Sequence, residues 1–217
     1  MTGLVLWGAG GHGSVVLDCA VASRAFDPIC FVDDGWEHER SFHGRELLGT
    51  SSKLEQARKL GYSTFLIAIG SNATRRSCFG RALGYGLEPA VVIHPGATVS
   101  TSAVIGGGTV IMPGAVVNAG ARIGRNCILN TAAVVEHGCL IEDDVHISPR
   151  AALGGGAAVH RLGHVGIGAI LLPGADVGEG AVIGAGAVVL NRVPAGVTVV
   201  GVPARLLDRR RGLKHHA

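Results

Sequence analysis

The residues able to do chemistry in this chain lie in two short stretches. The first is ILNTAAVVEHGCLIEDDVHISP, residues 128–149, which carries His137 and, nine residues on, His146. An imidazole has an unperturbed pKa of ~6.5, close to neutral pH, so it suits the task of taking a proton from an amine or hydroxyl as that group attacks an acyl carbonyl. Eighteen residues after His137 stands Gly155, within the run GGG, where a bare backbone N–H can support charge developing on the carbonyl oxygen. His164 follows His146 by the same eighteen. The second stretch is GAGGHG, Gly8 to Gly13, directly after the apolar run LVLW. It reads G-x-G-x-x-G, with Asp33 twenty residues after Gly13. Gly11 and Gly13 allow close approach of a ligand where a strand turns into a helix, whose free N–H groups favour phosphate.

The elements that must position these residues follow two different periods. Up to a boundary near residues 88–94, short apolar runs alternate with helical ones: LVLW, SVVLDCAVASR, ICFVDD, SKLEQARKL, TFLIAIG, TRRSCFGRALGYG and AVVI. That alternation predicts an α/β, Rossmann-like domain over residues 1–90, a parallel sheet with crossover helices. About ninety residues leave no room for a second nucleotide-binding half or a domain facing a nicotinamide ring. The glycine loop therefore reads as holding the nucleotide end of a substrate. Gly10, Gly11 and His12 lie near its phosphates or sugar, and Asp33 and Asp34, at the end of the second strand, near ribose or base.

From Ile93 to Val189 every sixth residue is aliphatic, seventeen times without a gap, and the residue four places after each is nearly always small. One branched and one small inward residue per six is the pattern of a hexapeptide β-helix, which neither a helical nor an ordinary strand period can keep. Three hexads make a triangular coil of eighteen residues, so residues 91–217 are expected to form about five to six coils, stacked at ~4.8 Å, followed by a tail. Cys127 and Cys139 fall at small inward positions and read as packing residues.

Composition narrows the class. All nine aromatic residues lie within the first 85 positions, which marks the same boundary. Five cysteines without CxxC pairs argue against a disulfide framework and a thiolate zinc site. The start of the chain lacks a basic region and is interrupted by His12 and Asp18, so it fits neither a signal peptide nor a spanning helix, and a cytoplasmic location is expected. Of the net charge of +3, the last fourteen residues carry +4 and the remainder −1, which points away from a nucleic-acid surface. That tail is either a solvated end or an aid in holding a phosphorylated ligand.

The hexads, ending in GVPAR (Gly201 to Arg205) and joined to a domain that begins GAGGHG, resemble the left-handed β-helix acyltransferases, and the whole chain resembles the sugar acetyltransferases of the NeuD/PglD type. Left-handed coiling is implied by the resemblance alone. So is a homotrimer with acetyl-CoA as co-substrate, bound with the acceptor between neighbouring prisms, and with no metal required. The implied activity is N-acetylation of a nucleotide-linked amino sugar, at a 4-amino group, with O-acetylation of a sugar such as a sialic acid as the alternative. The resemblance makes His137 the general base, Gly155 the amide donor and Asn130 a residue that positions the acceptor. It puts His146 on the acetyl-CoA side with His164 and Arg205. The segment IAIGSNATR matches the family's third-strand motif, so Gly70, Asn72 and Arg75 are expected to border the nucleotide site, unless Asn72 only caps the next helix. One departure stands out: the family places an acid directly after the catalytic histidine, and this chain has Gly138. Glu136, Asp143, Asp144 or a backbone carbonyl is left to orient the ring. Two other readings remain open here: a zinc enzyme of the γ-carbonic-anhydrase type using His137, His146, His160 and His164, whose spacing does not match that family's, and a non-catalytic trimeric scaffold that senses a nucleotide.

Overall fold

The computed structural model describes residues 1–35 and 40–207. It opens with β1 (Thr2–Trp7), α1 (Gly11–Ser23), β2 (Phe26–Val32) and a small hairpin of β3 (Ser41–Phe42) and β4 (Arg45–Glu46). Next come α2 (Leu54–Lys59), β5 (Tyr62–Ile67), α3 (Asn72–Gly84) and β6 (Glu88–Pro89). The main sheet is parallel, in the order β2-β1-β5-β6. Both faces of β1 are covered, which explains why LVLW is apolar throughout instead of alternating. Leu4 and Leu6 pack with α1, while Val5 and Trp7 pack with α2 and α3.

From Val92 the chain forms a two-residue strand in each hexad, and these strands stack into three sheets, the faces of a triangular prism. The first face runs from Val92–Ile93 to Thr198–Val200, the second from Thr98–Val99 to Val188–Val189, and the third from Val104–Ile105 to Arg192–Val193. Partners are eighteen residues apart, as in Ile111, Leu129 and Ile147. The last coil is shorter: Asp176 pairs with Arg192 and Val182 with Thr198, sixteen apart, so the aliphatic beat stops after Val189. GVPAR forms a turn that brings Arg205–Leu206 back antiparallel onto Val199–Val200 and pairs that sheet edge.

The aliphatic and small positions together fill the prism. Cys127 and Cys139 are free and buried there, and burial pushes the Cys127 thiol up to about 12 and raises that of Cys139, so they pack and do not react. The two parts of the chain share a core. Val16, Leu17, Cys19 and Ala20 of α1 pack against Val92, Val110, Met112 and Ile128 of the prism. Along the outward side of the first face the register runs Val92, Val110, Ile128, His146, His164 and Val182. The apolar residues stop where the cover of α1 stops, and imidazoles begin.

Candidate active site

The four glycines of the loop divide into two jobs. Gly8, at φ +124°, and Gly13 are there for packing: a Cβ on Gly8 would stand 2.7 Å from the Ala68 carbonyl oxygen, and one on Gly13 would strike the Gly8 carbonyl oxygen. Gly10 and Gly11 instead face open space, with no atom within 4 Å of where a Cβ would be. Gly10 is the N-cap residue of α1 and no side chain caps that end, so the free N–H groups stand beside open space. Asp33 is spent on shaping this loop. Its Oδ2 accepts from Ala9 N at 2.6 Å and its Oδ1 from Gly35 N at 2.7 Å. Asp34 accepts from Ser51 N at 2.7 Å and faces Arg81 at 3.4 Å. Partial burial would raise the Asp34 carboxyl, but those hydrogen bonds and the Arg81 charge outweigh it and hold it below the usual range.

The third-strand loop leads into α3 and meets the prism. Ser71, not Asn72, caps α3, accepting from Thr74 N at 3.4 Å. Asn72 Nδ2 donates to the carbonyls of Leu162 and Gly163 at 2.9 and 3.0 Å. Arg75 is 1% exposed and sends its guanidinium to backbone carbonyls of the prism, at Asn126 and Asp144, and of its own loop, at Ile69 and Gly70. These two side chains join the loop to the prism.

Three histidines form a string between the two parts. The His12 ring lies 6.3 Å from that of His146, which lies 4.8 Å from that of His164. His146 Nε2 pairs with Asn130 Nδ2 at 3.1 Å and His164 Nε2 with Ser148 Oγ at 3.0 Å. His12 Nε2 and His146 Nδ1 are buried without a hydrogen-bond partner. Burial, then the Arg75 charge, lowers His12 to about 4. Burial, then His164, Arg75 and His12, lowers His146 to about 3, and burial followed by Arg75 lowers His164. The string is therefore neutral at pH 7. Beside it Asn130, His146, Ser148, His164, Ile167 and Ala185 line an open groove of about 500 Å³. Ser148 was missed by the sequence reading. Its signal is register, since it sits eighteen residues after Asn130 and, like it, directly follows an inward aliphatic.

His137 lies elsewhere, at the corner between the second and third faces, and is exposed. The structure brings Gly155 against it. A Cβ on Gly155 would stand 2.6 Å from His137 Nε2, so only glycine leaves the ring this position. Gly154 N and Gly156 N donate to the carbonyls of Leu171 and His137, whereas among the described residues Gly155 N–H has no acceptor. None of the acids offered as an orienting group touches the ring within one chain. Glu136 Oε2 accepts from the His137 backbone N at 3.3 Å. Asp143 is bound to Arg125 N and Nη2 at 2.7 and 3.1 Å, and Asp144 to Asn126 Nδ2 at 2.7 Å, at a different corner. Arg205 is exposed at the closing end of the prism with its Nη1 on the Ala204 carbonyl, and the basic residues beyond Asp208 lie outside the described residues. Among the described residues no three His, Cys, Asp or Glu side chains are grouped to hold a metal, and no helix is long and apolar enough to cross a membrane.

Comparison with known proteins supplies the remaining findings. Residues 3–82 match the family described as PglD N-terminal domain. An asparagine-for-histidine variant of perosamine N-acetyltransferase from Caulobacter crescentus, solved in complex with CoA and GDP-perosamine, is 34% identical with a TM-score of 0.91, covering 96% of this chain and 98% of that one. The acetyltransferase domain of PglB from Neisseria gonorrhoeae FA1090, in complex with acetyl coenzyme A, is 41% identical with a TM-score of 0.90, covering 94% and 98%. UDP-N-acetylbacillosamine N-acetyltransferase of Bacillus subtilis (strain 168) is 41% identical over 114 residues, 51% of this chain, and the match spans about half (51%) of that relative's length.

Proposed function

Because the chain belongs to the PglD-type sugar acetyltransferases built on the hexapeptide-repeat, left-handed β-helix, we propose that it moves the acetyl group of acetyl-CoA onto the amino group, at the 4-position, of a nucleotide-linked amino sugar. The observation that carries this reading is the His137 ring lying against Gly155, whose N–H is unused. The acceptor nitrogen attacks the thioester carbon while His137 takes its proton. The carbonyl oxygen, now negative, is held by the Gly155 N–H. As the carbonyl re-forms, the carbon–sulfur bond breaks, CoA leaves as the thiolate, and the proton on His137 returns to it.

The reading divides the work between residues 1–90, which hold the nucleotide at Gly10, Gly11 and the end of α1, and residues 91–217, which hold the acyl donor. It also requires a homotrimer. His137 lies at the corner between the second and third faces and the His146–His164 groove on the first, so an acceptor held beside His12 and Asn130 in one copy must meet the base of a neighbouring copy. Support comes from the outward column of the second face between them, Val116, Val134, Ala152, Ile170 and Val188, an apolar strip suited to burial against a copy of itself. A cytoplasmic site of action fits five unpaired, buried cysteines.

The test is an acceptor panel with acetyl-CoA, following thiol release and product mass. Acetylation of a nucleotide-linked 4-amino sugar is the expected result. Transfer to hydroxyl acceptors alone would replace the reading with sugar O-acetylation, and no transfer to any acceptor would remove it.

A further inference from the structure

Three corner residues of successive coils, Asn126, Asp144 and Leu162, are eighteen apart and share the left-handed backbone conformation, with φ of 56°, 64° and 59°. The coils on either side use Gly108 and Gly180 at the same place, at φ 80° and 64°. The three non-glycine corners are the ones that meet the start of α3, and each offers it a carbonyl. Arg75 Nε donates to Asn126 O at 2.8 Å, Arg75 Nη2 to Asp144 O at 2.8 Å, and Asn72 Nδ2 to Leu162 O at 2.9 Å. The two side chains are also tied to each other, since Asn72 Oδ1 accepts from Arg75 Nη2 at 2.8 Å. Arg75 Nη1 turns back to the carbonyls of Ile69 and Gly70, both at 3.2 Å. A planar guanidinium is suited to acceptors spread in this way, and an ammonium of the same charge cannot reach them together.

Two kinds of contact join the glycine-loop domain to the prism. The apolar one, through α1, is non-directional. The Arg75–Asn72 one is directional, and it stands next to the place where His12 from one side meets His146 and Asn130 from the other. We propose that Arg75 is a positioning residue for acceptor binding: through the corner carbonyls it fixes the Ile69–Asn72 loop on the prism and so sets His12 in register with the Asn130–His146 pair. This rests on the acetyl-transfer reading above.

The guanidinium has a second, separable effect. Its buried charge disfavours protonation of His12, His146 and His164. The charged or titratable groups acting on these rings are Arg75 from α3 and the rings themselves, while the Asp144 carboxylate is turned to Asn126 Nδ2 and Arg76.

The experiment compares the full-length wild type with Arg75→Lys, Arg75→Met and Asn72→Ala, using an acceptor that the wild type acetylates. Both substrates are varied, from about pH 5 to 9. Arg75→Lys keeps the charge and loses the fork. Its KM for the nucleotide sugar should rise about tenfold or more, with the KM for acetyl-CoA within about twofold and the acid limb of kcat/KM in place. Arg75→Met, which loses the charge as well as the fork, should show the same rise. If Arg75→Met does not fold, Arg75→Lys and Asn72→Ala still decide the positioning role. An acceptor KM unchanged in both of these, or KM values for the two substrates rising together, overturns the proposal. A wild type inert toward every acceptor instead sinks the acetyl-transfer reading, with the same variants then compared by calorimetric binding of the nucleotide sugar, where an unchanged affinity overturns the positioning role.

Discussion

His137 and the His12–His146–His164 string use the same side chain under opposite conditions. The His137 ring is exposed at a glycine-lined corner, with no hydrogen-bond partner among the described residues of its own chain. The string is packed between two parts of the molecule, partly hydrogen-bonded, and held neutral by burial and by Arg75. A base must change its protonation state in each turnover, and a buried imidazole with a pKa near 3 cannot do so at neutral pH. A group that grips a substrate must keep one state, and burial together with Arg75 keeps the rings of the string neutral. Sequence spacing puts only His146 and His164 in one column, eighteen apart, with His137 nine residues from His146 at another corner and His12 on α1; burial is what divides their work.

Removing the base should have the largest effect of any single change. In the proposed mechanism His137→Ala lowers kcat by about 10²–10⁴-fold, the usual scale for a general base, while the trimer and acetyl-CoA binding persist. Size-exclusion chromatography and calorimetry check the second half of that statement. Unchanged turnover in a folded variant would transfer the role to another group. Gly155→Ala should cost somewhat less, about 10–10²-fold in kcat. It keeps the N–H but puts a methyl where the ring lies, 2.6 Å from His137 Nε2. A Gly155→Ala enzyme with wild-type kcat would mean that the ring stands elsewhere during the reaction.

How much of this was legible in the sequence depends on where each residue's partner lies. The prism was readable because every coil repeats one environment, so Leu129, Ile147 and Val165 each report the same inward position. The approach of Gly155 to His137 was readable for the same reason, being one coil on. Arg75 and Asn72 were visible as a motif but not in their role. Their acceptors on the prism are backbone carbonyls 51 to 91 residues away, and a carbonyl leaves no trace in the residue type that carries it. Asp33 was placed correctly at the end of β2 in the sequence reading, yet its carboxylate holds the Ala9 N–H of the loop, a contact that the same spacing would also allow toward a ribose. Glu136 shows the limit of adjacency: beside His137 in the chain, it bonds the backbone and not the ring.

The string should also set the acid stability of the protein. His12 and His146 have folded pKa values of about 4 and 3, below the unfolded value of 6.5, so the unfolded chain binds more protons between those values. Their contribution is fully present above about pH 6.5 and is lost as pH falls toward the folded values. For a 2.5-unit difference this amounts to about 3 kcal/mol for His12 alone, at order-of-magnitude precision. Urea unfolding should therefore show stability falling between about pH 6.5 and 4, and the double variant His12→Gln, His146→Gln should flatten that slope. An equal slope in the double variant would mean that the string is protonated, or open to solvent, in the folded protein.

His160 supplies the smallest effect and the opposite sign. Its Nδ1 lies 3.1 Å from Glu142 Oε1 and its Nε2 2.7 Å from Asp176 Oδ1, bridging two coils of the prism. The Glu142 hydrogen bond is the leading cause of a raised pKa, ahead of the partial burial that opposes it, and Asp176 adds to it. A raised folded pKa means that the folded state holds its proton more tightly, so the stabilisation is fully present below about pH 6.5 and disappears as pH rises through the folded value. The side chain is 36% exposed, so solvent screening keeps the effect below about 1 kcal/mol. His160→Gln should thus destabilise the protein slightly at pH 5.5 to 6 and not at all at about pH 8.5, the reverse of the string variant. Measured as urea midpoints at both ends of that range, a loss larger at high pH would show that the bridge acts through packing and not through charge.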